Sequence, residues 1–171
     1  CALPIFTALL RLIEIQMLTK GIKAYLSIFD GIKEINMAGI GEFFADSPEN
    51  TLVKGFKGEF KQVITNLVYN AIFTIEEKYK NSTTKNGFIH IKISKKNRHI
   101  DIVIEDNGGG INEDIMPHIF NPYFTTKDEG KGTGLGLYLA KLIIQTHMKG
   151  TITAENTEQG ARFLISLPEA Q

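Results

Sequence analysis

Cysteine is nearly missing from this 171-residue chain, with Cys1 the only one. No intramolecular disulfide can form, and the composition points to a reducing, cytoplasmic setting. Net charge is missing too: 19 basic residues cancel 19 acidic ones. No global field therefore draws the protein to nucleic acid or to an anionic membrane. Long apolar runs are also lacking. The best, Ala2 to Leu18, is broken by Arg11 and Glu14 and falls short of the roughly 20 clean residues that a spanning helix requires. No basic leader with a small-residue cleavage site opens the chain. The first residue is Cys1 rather than Met, which reads as a piece of a longer protein.

What is there is an ordinary globular composition, 43% hydrophobic and 22% charged, in a length suited to one domain. No repeat, low-complexity tract or linker divides it. Leu3, Phe6, Leu9, Leu10, Ile13 and Leu18 predict an amphipathic helix over 3–18. Gly21 ends it, and Ile22 to Ile28 alternates like a strand. Residues 29–51, with Gly31, Gly39, Gly41 and Pro48, predict no element. From Phe60 the apolar positions Val63, Ile64, Leu67, Val68, Ala71, Ile72 and Ile75 recur at helical spacing, and this helix runs to about Lys80. After a loop at 81–87, strands Phe88–Ser94 and His99–Asp106 form a hairpin around Lys95 to Arg98. A long irregular stretch leads to a helix over Leu135–His147, apolar on most sides and expected to be buried. Strands Thr151–Glu155 and Ala161–Leu167 close the chain. The order predicts an α+β fold with helices on one face of a mostly antiparallel sheet.

Four clusters carry chemistry. Asn66 and Asn70 lie four apart, so they stack on one face of the central helix. Asparagine is a poor helix former; the pair reads either as two solvated amides or as neutral oxygen donors toward a hard cation such as Mg²⁺. Asp106 continues the parity of Ile100, Ile102 and Ile104 and leads into Asn107 and three glycines. A carboxylate ending an apolar row needs a specific partner, although Asp-Asn-Gly is also plain turn chemistry. In Ile119 to Lys127, three aromatics and a proline suggest a ring-anchored loop with Lys127 at its mobile end. Gly130, Gly132, Gly134 and Gly136 precede a helix, whose free N–H groups make a ready phosphate cradle. The spacing fits neither the Walker A nor the dinucleotide-binding glycine pattern.

Together and in this order, the clusters resemble the ATP-binding catalytic domain of sensor histidine kinases, in the wider family with gyrase, the heat-shock chaperone ATPases and mismatch-repair ATPases. Asn66-Leu67-Val68-Tyr69-Asn70-Ala71 is similar to the N box, and Asp106–Ile111 to the first glycine box. Pro122 to Lys127 is similar to the F box, Gly132 to Leu137 to the second glycine box, and Gly160-Ala161-Arg162-Phe163 stands where that family has G-T-x-F. The resemblance covers residues 52–168 and, less specifically, the helix and strand at 3–28, while the segment 29–51 is longer than that family's usual connection. It implies one ATP-binding catalytic domain over 1–171, with a Bergerat-type two-layer sandwich and a mixed, mostly antiparallel sheet.

It also implies site roles. Asp106 would accept from the adenine amine, Asn70 would coordinate Mg²⁺, and Asn66 would support the phosphates. Gly132, Thr133, Gly134, Leu135 and Gly136 would cradle the phosphates. Gly108, Gly110, Ile111, Phe120, Thr125 and Thr126 complete the nucleotide contacts, and residues 121–132 would form a mobile lid whose Lys127 meets the γ-phosphate. Phe73 and Thr74 stand where many members have a basic and an aromatic residue, and Ala161 replaces the usual Thr.

The hydrolytic cousins carry a glutamate four residues before the metal-binding Asn. Here that position is Asn66, and an amide takes no proton from water at neutral pH. The reading is phosphoryl transfer to a protein group, with Asn66 and Lys127 as catalytic residues. The acceptor is not expected among His90, His99, His118 and His147, none of which is followed by glutamate. It is expected on a helical phosphoacceptor domain of the same protein, with a response regulator downstream. The alternatives are an anti-sigma-type serine/threonine kinase and a non-catalytic nucleotide-sensing module.

Overall fold

The computed structural model describes residues 2–4, 23–30, 33–37, 52–55, 57–83, 86–128, 130 and 132–169. Helix α1 (Lys57–Lys78) forms where the apolar period is strongest. Its stripe Phe60, Val63, Ile64, Leu67, Val68, Ala71, Ile72 and Ile75 is buried along the whole length. Each of these side chains larger than alanine contributes on the order of 1.5–3 kcal/mol over leaving it exposed. Glu59 in the first turn and Lys78 in the last suit the helix dipole.

The strands β1 (Ala2–Pro4), β2 (Lys23–Asp30), β3 (Lys33–Met37), β4 (Leu52–Lys54), β5 (Phe88–Lys96), β6 (His99–Asp106), β7 (Thr151–Asn156) and β8 (Ala161–Pro168) make two sheets. One pairs β1 with β4; the other has the order β3-β2-β5-β6-β8-β7. Among the described residues only the β2–β5 pair is parallel, and α1 lies between those strands in the chain. The sheet is therefore mixed and mostly antiparallel, as the predicted α+β class requires.

Isoleucine rows fix the register: Ile91 faces Ile104 and Ile93 faces Ile102, while Ile165 and Phe163 pair onward from Ile102 and Ile104. A slip of one residue would turn the whole row to the other face. α1 packs on β5 and β6, and the last helix on β7. The opposite face is polar. There Arg162 bridges Glu105 and Glu155, and Ser166 donates to Asp101 Oδ1 at 2.6 Å.

Four expectations change. The helix predicted over 3–18 is contradicted at its start, where Leu3 and Pro4 pair with Val53 and Leu52 in a strand. Pro4 biases the preceding residue toward extended backbone. Residues 5–22 lie outside the described residues, and the unassigned stretch 29–51 contributes β3 as the edge strand beside β2. The hairpin turn is tighter than the four polar residues suggested: Asn97 and Arg98 alone make it, with φ of 50° and 63°. The last helix is α-helical as α2 (Gly136–Leu142) and widens to a π-helix over Ile143–His147. It is not buried throughout. Ala140, Ile143 and Ile144 face the core, whereas Leu139 and Leu142 are exposed.

Candidate nucleotide-binding site

Between α1, the end of β6 and residues 119–128 and 132–134 lies a cleft of about 450 Å³, within the range that small-molecule sites occupy. Helical periodicity points Asn66 and Asn70 into it from adjacent turns. Both amides are engaged. Asn66 Nδ2 donates to the Gly136 carbonyl at 2.8 Å, and Asn66 Oδ1 accepts from Gln62 Nε2 at 2.9 Å. The first bond ties α1 to the start of α2, whose N–H groups follow the glycine run. Asn70 Oδ1 accepts from the Lys127 ammonium at 2.9 Å.

At the other end, Asp106 closes the apolar row of β6 and is 4% exposed. Its Oδ1 accepts from the backbone N–H of Gly108 at 2.8 Å and more weakly from that of Ala161 at 3.4 Å. Neither bond uses Oδ2. Burial pushes the carboxyl above the ordinary aspartate range, and the two backbone donors and the Lys78 charge only partly offset this. Gly108 is required by close approach, since a Cβ there would stand 2.3 Å from Thr74 Oγ1.

The loop that follows Asp106 is strapped from several sides. Buried Asn107 accepts from Phe88 N–H and donates to the Asn86 carbonyl, both at 2.8 Å, and to the Tyr79 hydroxyl. Lys78 Nζ donates to the carbonyls of Asn107 and Gln159. Asn156 clasps Ile111, accepting from its N–H at 2.8 Å and donating to its carbonyl at 2.7 Å.

The third wall is the segment after the short 3₁₀ turn Met116–His118. Tyr123 holds φ at 63°, and Gly134 at 67° packs so closely that a Cβ would lie 2.4 Å from the Tyr123 backbone. The aromatic loop and the glycine run are thus one folded unit. Lys127 does not extend into solvent. It is half-buried in the cleft, and burial holds its ammonium below the usual lysine range.

The expected residues Asn66, Asn70, Asp106, Gly110, Ile111, Thr125, Thr126, Lys127, Gly132, Thr133, Gly134 and Gly136 all line the cleft. Gly108, Phe120 and Leu135 are not among its lining residues. Phe120 instead meets Phe163 edge-on, and Ile119 and Phe124 supply the apolar wall. Sequence reasoning missed Lys78, Asn156 and Tyr69. Asn156 carried a signal, because asparagine is depleted in strands and this one closes β7 beside a turn. The histidines are occupied elsewhere: His99 at the hairpin turn, His118 beside Asn121 and His147 on Glu59. None of the four lines the cleft.

Residues 57–171 match the family described as histidine kinase-, DNA gyrase B-, and HSP90-like ATPase. The two-component sensor PprA of Pseudomonas aeruginosa is 35% identical over 71% of the chain, and sporulation kinase A of Bacillus subtilis 30% identical over 94%. The chain spans 13% and 27% of those two proteins. Among solved structures, the nucleotide-free catalytic domain of histidine kinase ThkA superposes with a TM-score of 0.70 at 27% identity, covering 96% of this chain and 92% of that one. The chain belongs to the histidine kinase-, DNA gyrase B- and HSP90-like ATPase family, as a catalytic domain of the sensor histidine kinase type.

Proposed function

We propose that this chain is a single domain that binds Mg²⁺-ATP and passes the γ-phosphoryl group to a histidine carried on a helical domain of the same protein. Asp106 accepts from the adenine amine through Oδ2, since its other oxygen already serves two backbone donors. The glycines at 132, 134 and 136 and the hydroxyls of Thr125, Thr126 and Thr133 face the phosphates. Asn70 offers a hard oxygen on which a cation already rests, so the donor fits Mg²⁺ held jointly by one amide and the phosphates. Bound there, the metal supplies charge neutralisation on the phosphates.

The carrying observation is Asn66. It stands where a base for water would have to stand, and both ends of its amide are committed to Gly136 and Gln62. Asp106 is the only carboxylate lining the cleft among the described residues, and it serves the base. What remains is positioning: the phosphate chain is oriented by the glycine run and Lys127, and an incoming imidazole displaces ADP. A response regulator then takes the phosphoryl group, and the reaction belongs to the cytoplasm.

The test mixes this chain with ATP, Mg²⁺ and the phosphoacceptor domain of its parent. An acid-labile, alkali-stable phosphoprotein is expected, together with negligible ATP turnover by the chain alone. Brisk turnover without acceptor would point to the hydrolytic relatives. An acid-stable product on a serine-bearing partner would point to an anti-sigma-type kinase, and binding without any transfer to a nucleotide sensor.

A further inference from the structure

Two aromatic side chains of α1, Tyr69 and Phe73, line the cleft and meet the same atom. Lys127 Nζ lies 4.3 Å from the centre of the Phe73 ring and 5.0 Å from that of Tyr69. The same ammonium donates to Asn70 Oδ1. Tyr69 and Phe73 are four residues apart on the helix, so their rings stand on one face with Asn70 beside them. Burial does not explain Tyr69, which is 50% exposed on a helix whose packed stripe runs along the other side. A ring face attracts a cation through its quadrupole, most strongly where water is partly excluded. Two ring faces and an amide oxygen thus take three sides of one ammonium.

Resting on the reading of the cleft as an ATP site, we propose that Tyr69 and Phe73 are positioning residues forming an aromatic seat that keeps the Lys127 ammonium beside Asn70, where the terminal phosphate and its metal arrive. When the phosphate enters, the ammonium exchanges the Asn70 oxygen for a phosphate oxygen without leaving the rings. The seat thereby spares the cost of recruiting a lysine from solvent at each binding event, because much of its side-chain freedom is already lost. It acts only through Lys127 and touches no reacting atom itself.

The experiment reads affinities of this chain for ADP and for a non-hydrolysable ATP analogue, both with Mg²⁺, by calorimetry. Their ratio isolates contacts to the terminal phosphate. Lys127→Ala is expected to weaken the analogue about tenfold, as loss of a charge-assisted contact does, and to leave ADP within about twofold. Phe73→Leu keeps an apolar group and removes the ring. It should weaken the analogue by roughly fivefold, a cation–π effect, with Phe73→Trp restoring most of the loss. Tyr69→Leu, at an exposed position, should act in the same direction by a smaller factor.

The decisive variant is Phe73→Leu on the Lys127→Ala background, which should cost nothing further. An equal loss in both backgrounds, or a loss shared by ADP, overturns the seat in favour of packing. Tighter analogue binding by Phe73→Leu also overturns it, making the contact a block. If Lys127→Ala changes neither nucleotide, the phosphate role of Lys127 fails and the seat falls with it. That result differs from failure of the seat alone, in which Lys127→Ala has its effect and Phe73→Leu does not.

Discussion

The two ends of the cleft are built on opposite principles. At the base end, Asp106 and the loop after it are held by a saturated network: backbone donors on Asp106 Oδ1, three bonds on the Asn107 side chain, two from Lys78 and two between Asn156 and Ile111. At the phosphate end, Lys127 donates to Asn70 across the cleft, and on the proposed reading the ligand replaces that bond. A rigid end sets which base is read and loses little entropy on binding. An end that includes an exchangeable contact of this kind can reorganise around phosphate and metal. On the proposed reading, recognition and reaction thus fall to different stiffnesses within one pocket.

The largest expected effect lies at the rigid end. Asp106→Asn keeps an oxygen for the N–H groups of Gly108 and Ala161 but turns an amide donor toward the adenine amine. ATP affinity should fall by a hundredfold or more, on the scale of leaving two donors opposed in a dry site. The fold should survive, with an unfolding midpoint at or above the native one, because a desolvated charge is removed. Calorimetry and thermal unfolding of the same sample check both halves. Near-native affinity would remove Asp106 from the site.

Next is Asn70→Ala at the adaptable end. The expected loss is about tenfold with Mg²⁺ and close to none in EDTA, since the missing oxygen serves the metal rather than the base. An equal loss in both buffers would move Asn70 out of metal binding. Asn156→Ala is the counterpart at the rigid end. It frees both polar groups of the Ile111 backbone, and about fivefold weaker binding should appear regardless of metal. If the Asn156 effect instead depends on Mg²⁺, the two ends are not separable.

Much of this contrast was legible in the sequence, though unevenly. Periodicity announced α1 and the isoleucine rows because those patterns follow directly from helix and strand geometry. The parity that places Asp106 at the end of a buried row was visible for the same reason. The strand at Leu3 and Pro4 was not legible because a proline at the start of an apolar run is compatible with a first helical turn as well as with a strand. The π-helical widening after Leu142 left no mark in the apolar pattern. Lys78 and Tyr69 were invisible as site residues, and Asn156 showed only as an asparagine ending a strand, because each acts across the fold on a partner far away in the chain. Only register and topology bring such pairs together.

The smallest effect is a pH dependence that should follow the rigid end alone. Burial raises the Asp106 carboxyl above its ordinary range. As pH falls through that raised value, the folded domain takes up a proton before the unfolded chain does, so this group's contribution to stability increases on acidification and is complete below the unfolded aspartate range. Nucleotide binding runs the other way. The adenine amine needs a charged acceptor, and affinity should decline through the same window with a limiting slope of about one logarithmic unit per pH unit. Other groups titrate there as well, so the quantity to measure is the difference between the native chain and Asp106→Asn. Native stability should gain on the variant as pH falls, while native ATP affinity declines toward the variant's. Parallel pH profiles of stability in the two proteins would show that the Asp106 carboxyl takes up its proton over the same pH range folded and unfolded, so that its burial costs the fold nothing. The comparison would then turn on hydrogen bonding alone, with no contribution from a desolvated carboxylate.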